Sequence, residues 1–597
     1  MCDIHRLVAG HPEAAPAACC DVFVLENTCA SASMPWVPNG TVGSGVLSPW
    51  CYKSARSRLK RESAKWREEL RANPRREYGG LVRKSSSRRS RTSQEDFFPD
   101  WMGCFACTRA ADASSCCSNG GECILGVCRC SDGSYGVDCA AGGNLARDGQ
   151  AGNVPSPHRV PEAPPPRSLA IYVYETLPLD LGATSFSLRT WFSNLRGGFE
   201  VYSTEWRFLN YLLRDTTVRT LDGEKADLFF VPTLGSLGRM PGSEGAHRCM
   251  QPAQLELLVH NIRSRYPFWD RSGGRDHVFF LTGDQGACGL GKSGTRPIFI
   301  TAWGLLGTSS KMSAFETFRD DFINETEIDR AISAGEYCHA PHKDVVVPPY
   351  GDLQFTDNEP ATAMQGGFEH SLLHVGGIWG AGNHGTRKIS FYSQGMRQAL
   401  YLRFGDNAHG ANAGIWIRNR SMSKAQLTHK TAHSKFCLSP SGHGWGMRTG
   451  KNAVLGCVPL IAQPFVVQPF EMLLPYELFS KRVAFEDVPR IPEIVNVTDE
   501  TVYLMRRRLA RVRRAFIWRV EAGGLAYNHT LLHLCHRAYE LRGALKAGAG
   551  ADCAPLAAGL VDASPMQRMP TWFPATLKAA TLRLQERRRQ DFVRHVR

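Results

Sequence analysis

From Ser168 onward the chain alternates short apolar runs with amphipathic segments, and this alternation restricts it to a small set of folds. Leu169–Tyr174 (LAIYVY), Ala226–Pro232 (ADLFFVP), His277–Thr282 (HVFFLT), Pro297–Trp303 and Asp344–Pro349 (DVVVPP) read as buried strands. Trp206–Arg214 and Gln254–Tyr266 read as helices between them. Strands buried on both faces and separated by helices imply a parallel sheet covered on both sides. A second run starts near Arg387, with strands at Lys388–Ser393, Phe436–Pro440, Cys457–Ile461 and Arg482–Phe485 and a short helix at Arg448–Leu455. Two such α/β units in succession predict a cleft between the carboxyl ends of their strands.

Charge does not describe this folded middle. The net charge of the 597 residues is +15, which suggests a polyanion or a membrane surface as partner. Residues 51–92 alone carry 15 Lys/Arg against 4 Glu, and 576–597 carry 7 Lys/Arg against 2 acids. The remainder sums to −1. The segment 51–92 has no interleaved aromatics apart from Tyr52, Trp66 and Tyr78, and no nucleic-acid-binding fold accompanies it, so nucleic acid is not an expected partner. Residues 1–100 read as a basic region without sustained periodicity, 143–167 as a Gly/Pro-rich linker and 546–597 as an Ala/Gly-rich, then basic and helical, tail. No run of 18 apolar residues occurs, and Met1–Gly10 lacks the apolar stretch of a signal peptide.

Eight of the 20 cysteines lie between Cys104 and Cys139. So dense a cluster in so short a segment means disulfides in an oxidising compartment or zinc in a reducing one. Cys104-x2-Cys107 has ligand spacing, but the second pair would be Cys128-x-Cys130, which is too tight for zinc. Disulfides are the favoured reading, and with them a secretory or extracellular location. Five N-x-S/T sequons agree with this weakly.

The densest chemistry-bearing segment is His433–Ile461, HSKFCLSPSGHGWGMRTGKNAVLGCVPLI. A strand ends at Ser439-Pro440, a loop with Gly442, Gly444 and Gly446 follows, and Arg448 opens a helix. Glycines let backbone approach a ligand, amides at a helix start favour an anion, and an arginine fork suits a diphosphate. Ser439 and Ser441 add hydroxyls. A nucleotide-sugar fits such a loop. Neither a Walker loop nor a dinucleotide fingerprint is present, and a tight turn bearing an exposed arginine is the plainer alternative. No D-x-D occurs, and His433 and His443 are ten residues apart, a spacing without ligand logic, so no metal site is expected.

The segment resembles the donor-binding region of exostosin-type glycosyltransferases, family 47. The resemblance extends over about 168–500 through ADLFFVP (226–232), GGRDH (273–277), KDVVVPP (343–349), FYSQG (391–395) with Arg397, GCVPLI (456–461) and LFSKRVAFED (478–487), in the family's order. The spacing Cys117-x5-Cys123-x4-Cys128-x-Cys130-x8-Cys139 resembles an EGF-like module, as in plant and green-algal members. That likeness implies Cys130–Cys139 and Cys117–Cys128 pairs, with Cys123 joined to Cys104, Cys107 or Cys116. The family likeness implies a GT-B pair of Rossmann-like domains, an N-terminal acceptor domain (168–380) and a C-terminal nucleotide-sugar domain (381–545), preceded by the module at 101–142. It implies inverting transfer of a sugar from a nucleotide-sugar, a UDP-sugar by preference, to a glycan or glycoprotein in the Golgi, with no further cofactor. Family members are type II membrane proteins; an anchor is expected upstream of Met1, or export proceeds otherwise. Gly395, Arg397, Ser439, Ser441, Gly442, Gly444 and Arg448 fall at the expected donor site. Where many members carry a glutamate for the ribose, this chain has Lys451, which leaves a catalytically degenerate binding or adhesion protein as the alternative. For the base that an inverting transfer needs, the candidates are Asp284, after the strand HVFFLT, and Glu486. Each has a plainer role, Asp284 as a turn cap and Glu486 as a solvated strand end.

Overall fold

A computed structural model describes residues 169–174, 200–215, 217–233, 252–288, 290–306, 337–351, 367–378, 392–405, 408–543, 553–560 and 568–596, with four short strands between 121 and 142. Those four are β1 (Gly121–Ile124), β2 (Val127–Cys130), β3 (Ser134–Tyr135) and β4 (Ala141–Gly142), paired as two antiparallel hairpins. The region 1–100, the linker 143–167 and the expected pairings of Cys107, Cys117, Cys123, Cys128, Cys130 and Cys139 lie outside the described residues.

The first large sheet contains β5 (Ile171–Val173), β6 (Arg219–Thr220), β7 (Leu228–Val231), β8 (His277–Leu281), β9 (Ile298–Thr301) and β11 (Val345–Val346). Its order is β11-β9-β8-β7-β5-β6, with every pairing parallel. Helices α1 (Thr204–Arg214) and α2 (Pro252–Arg265) supply crossovers. The acids of the family-like motifs act at the amino edge of this sheet. The Asp227 carboxylate accepts from Ala170 N at 2.8 Å, and Asp344 from Phe299 N at 3.0 Å and Ala340 N at 2.8 Å. Asp276 pairs with His277 at 2.9 Å. Each carboxylate satisfies buried donors where strands begin, a structural task.

The second sheet holds β12 (His370–Val375), β13 (Ile415–Arg418), β14 (Ser434–Pro440), β15 (Val458–Ala462) and β17 (Lys481–Arg482), in the all-parallel order β13-β12-β14-β15-β17. Its helices include α3 (Met396–Phe404), α4 (Lys424–Ala432), α5 (Arg448–Val454) and α6 (Asp499–Val512). The mixed α/β architecture with two parallel sheets agrees with the expected class. Two details correct the sequence reading. The second sheet begins at His370, ahead of the expected boundary at 381. Of the expected strand Lys388–Ser393, residues 388–391 lie outside the described residues, and Tyr392 and Ser393 belong to a 3₁₀ turn at Tyr392–Gly395, where Ser393 and Gln394 have φ of 57° and 51°. Left-handed backbone cannot continue a strand.

The two units are joined by a ribbon. β10 (Gly304–Leu305) leaves the first sheet and β16 (Val466–Val467) the second, and they pair antiparallel, Gly304 with Val467 and Leu305 with Val466. Leu306 N donates to Phe465 O and Phe470 N to Val346 O. The chain then crosses back. Helix α7 (Ala526–Arg542), grouped by sequence with the second domain, packs on the first sheet: Arg537 donates to Pro341 O at 2.7 Å and Arg542 to Asp276 at 3.1 Å. Helix α8 (Ala575–Val596), expected as a tail, buries Leu577, Leu584 and Phe592. Its buried Arg588 donates to the carbonyls of Arg296 and Arg275. Each large apolar side chain buried there contributes about 1.5–3 kcal/mol.

Candidate functional site

The carboxyl edges of the two sheets meet at one place. Beyond β14 the chain enters the glycine loop, whose Gly444 lies so near the loop after β8 that a Cβ there would sit 1.8 Å from Asp284 O. Trp445 N donates to the same carbonyl at 3.0 Å, and its indole Nε1 donates to Gly283 O at 3.1 Å. Tyr202 donates its hydroxyl to Asp284 Oδ1 at 2.6 Å and packs edge-on against Trp445. Asp284 is therefore held by both units, where the sequence suggested a turn cap as its plainer role.

Beside this contact lies a cluster of buried cations. β12 ends in Gly376-Gly377, and two arginines converge on that turn. Arg397, from the first turn of α3, donates to Gly377 O and the Tyr392 hydroxyl, both at 2.8 Å. Arg448, first residue of α5, donates to Val375 O at 2.5 Å. Burial lowers the Arg397 guanidinium to about 10 and lowers that of Arg448 in the same direction. Neither has a carboxylate partner among the described residues. Burial, assisted by both guanidiniums, also pushes His374 well below the ordinary histidine range, so it is neutral.

Unsatisfied polar atoms collect here as well. Ser393 Oγ, Gln394 Oε1, Arg397 Nε, Ser441 Oγ and both ring nitrogens of His374 are buried without a hydrogen-bond partner among the described residues. A buried polar atom left unmade costs about 1–3 kcal/mol, so such a concentration marks a place where a polar ligand completes the network. The Tyr392–Gly395 turn is pinned to the glycine loop by Ser393 N donating to Gly442 O at 2.7 Å. Its left-handed non-glycine residues, Ser393 and Gln394, store backbone strain beside the cluster. What the arrangement can do is bind a compact polyanion against two fixed guanidiniums, with hydroxyls from Ser441 and Ser393 and a carboxylate across the cleft.

Of the residues singled out from sequence, Gly395, Arg397, Ser441, Gly442, Gly444, Arg448 and Asp284 come together. Ser439 does not. Its hydroxyl receives Asn452 Nδ2 at 3.0 Å and its carbonyl receives Gln463 Nε2 at 3.0 Å, inside the sheet. Lys451 is exposed, one turn beyond Arg448 on α5. Glu486 is exposed beyond β17, the outermost strand, two strands from β14. The sequence reading passed over Tyr202, His374, Tyr392, Ser393 and Trp445. Trp445, inside the glycine loop, and Tyr392 and Ser393, inside FYSQG, carried a legible signal; Tyr202 and His374 depend on long-range packing.

A family model described as the exostosin GT47 domain matches residues 165–498, more than half of the chain. The chain is 26% identical over 325 residues to a probable glucuronosyltransferase of Oryza sativa subsp. japonica, covering 51% of this chain and 66% of that protein. It is 28% identical over 321 residues to a probable glucuronoxylan glucuronosyltransferase of Arabidopsis thaliana, covering 52% and 61%. A probable beta-1,4-xylosyltransferase of the same plant is 24% identical over 320 residues, covering 51% and 66%. The chain thus spans just under two thirds of the length of these relatives.

Proposed function

Since the chain belongs to the exostosin GT47 family, we propose that the junction of its two sheets transfers a sugar from a nucleotide-sugar, a UDP-sugar by preference, to a glycan acceptor. The observation that carries this is the pair of buried guanidiniums, Arg397 and Arg448, without carboxylate partners among the described residues, at the carboxyl edge of the second sheet. They supply fixed positive charge for a diphosphate as it leaves, and preorganised charge in a dry site is worth far more than the same charge in water. Ser441 and Ser393 donate to the donor, and His374, held neutral, adds a hydrogen bond without further charge.

Asp284 is the proposed base. It faces the second unit from the end of β8, and Tyr202 orients one of its oxygens. Inverting transfer follows: Asp284 Oδ2 takes the acceptor hydroxyl proton, the acceptor oxygen forms the new bond at the anomeric carbon, and the sugar–phosphate bond breaks toward the arginines. Glu486 is the second candidate and lies farther out. Lys451 stands where an acid is usual in the family, so ribose recognition here uses other groups.

Relatives named for glucuronosyl and xylosyl transfer, one of them on glucuronoxylan, favour a cell-wall polysaccharide acceptor. Three disulfides, Cys288–Cys338, Cys437–Cys457 and Cys535–Cys553, favour the secretory pathway and a Golgi site of action, with an EGF-like module at 101–142 as a contact for protein partners. Among the described residues no helix is long and apolar enough to cross a membrane.

The test is a screen of UDP- and GDP-sugars for nucleotide release, with calorimetric UDP titration. It uses the full chain, because α7 and α8 complete the first core. Wild type should bind UDP and release it from at least one donor, with Arg448→Ala weakening UDP binding tenfold or more. No UDP binding by folded wild type would favour the binding-protein reading instead.

A further inference from the structure

We propose that Glu369, His429 and His433 form a divalent transition-metal site of the zinc class at the amino edge of the second sheet, remote from the donor cluster. Two histidines four residues apart lie on one helix face: His429 is in the last turn of α4 and His433 caps it, with their rings stacked at 4.2 Å. Glu369 immediately precedes β12, and its backbone N–H donates to His433 O at 2.8 Å, which brings the carboxylate to the same spot. The ligand atoms of all three residues lie within 4.8 Å of one another. Two ligands bound to one zinc at about 2.0–2.2 Å stand roughly 3–4 Å apart, so binding requires the two imidazoles to turn out of their stack and aim both lone pairs at one ion. His429 Nδ1 and Glu369 Oε1 already stand at 3.8 Å.

The surroundings set the ligand atoms. His433 Nδ1 lies 2.8 Å from the carbonyl of His429, which can only accept. Nδ1 therefore carries the proton and Nε2 keeps its lone pair, the arrangement that outer contacts impose on metal-binding imidazoles. Lys430 Nζ pairs with Glu369 Oε2 at 3.3 Å, which leaves Oε1 for the ion. His370 Nε2, buried without a hydrogen bond, stands 3.8 Å from Oε2 and is within reach as a further ligand. Two imidazoles and a carboxylate suit zinc, copper or nickel better than magnesium or calcium.

β12 separates the two sites. Glu369 adjoins its first residue and Gly376 follows its last, so about 20 Å of strand lies between them. A bound ion would clip together the start of β12, the end of α4 and the start of β14 without touching the diphosphate position. Its role is to stabilise the sheet's amino edge.

The experiment titrates Zn²⁺ into the EDTA-treated full chain by calorimetry, with thermal melting in parallel, for wild type, His429→Ala and Glu369→Gln. Both substituted positions are exposed, so the apo variants should melt within a degree or two of wild type. The expected result is a wild-type site whose affinity falls at least tenfold in each variant, with the zinc-induced rise in Tm lost and UDP affinity unchanged by zinc. Identical zinc isotherms for wild type and both variants, whether all bind or none does, would overturn the proposal. So would a UDP affinity that tracks zinc occupancy. Failure of UDP binding alone would count against the transferase reading and leave this site standing.

Discussion

Single side chains at the cleft show how narrowly position separates ligand contacts from scaffolding. Ser439 and Ser441 stand two residues apart in one segment, yet the first is spent on Asn452 and Gln463 while the second is buried with an unmatched hydroxyl. Gly444 is a glycine for a reason that neither flexibility nor φ supplies: the carbonyl of Asp284 occupies the space of its missing Cβ. Gly444→Ala must push the loop away from Asp284. A displacement near 1 Å at a reacting centre costs on the order of a hundredfold in rate. The expected outcome is a fall of tenfold or more in kcat/KM for the donor, with an unchanged far-UV spectrum. Activity within twofold of wild type would mean that the loop contact is not needed. At this scale the sequence exposed the glycines and Arg448 plainly. It set His433 and His443 aside as too far apart for a shared ligand and did not weigh His429, whereas folding sets His433 against His429 and Glu369.

Elements were legible where apolar runs were continuous and misread where polar residues interrupted them. The strands LFFV, HVFFL and VPLIA fall within a residue or two of their expected places. β12, HSLLHV, was missed because its two histidines and serine dilute the apolar run, although it is a central strand of its sheet. The three disulfides among the described residues were missed for a different reason: their partners are 18 to 50 residues apart, and no spacing rule joins them. Cys437 in β14 and Cys457 before β15 cross-link neighbouring strands with Cα atoms 5.8 Å apart. Closing a loop of this size stabilises by about 3 kcal/mol. Cys437→Ser/Cys457→Ser should therefore lower the unfolding free energy by about 2–4 kcal/mol in urea. Replacing the pair with no change in the midpoint would show that the cross-link is dispensable.

Across the whole molecule, buried histidines tie stability to pH. His339 and His342 precede β11, and His529 and His533 lie on α7, where Arg537, Lys343, Asp344, Glu540 and Arg588 surround the contact. Burial is the leading cause in every case: it lowers His339 and His529 to about 4 and holds His342 and His533 further down. Their native forms stay neutral while the unfolded chain takes up protons below about 6.5. The unfolded state then binds more protons, so stability falls as pH drops from 6.5 toward 4, by about 1.4 kcal/mol per pH unit for each such histidine. Glu540, raised by burial, opposes this, but as one group against four. Denaturant midpoints at pH 7.5, 6.0 and 5.0 should decline in that order; a flat profile would contradict the neutral, buried state of these rings.

The sequence by itself determined the class of fold and most strands of the first sheet, because a buried parallel strand needs an unbroken apolar run and that pattern is local. It also determined the position of the glycine loop, since glycines, a serine and an arginine between a strand and a helix are readable in one segment. Only the tertiary structure decided which groups share the site. Tyr202, Asp284, His374 and Arg397 lie tens to hundreds of residues from Ser441, and they meet because both sheets present their carboxyl edges to one cleft and the β10–β16 ribbon holds those edges together. It also decided that α7 and α8 cover the first sheet, since an amphipathic helix carries its apolar face in its sequence but not the identity of the surface that will bury it.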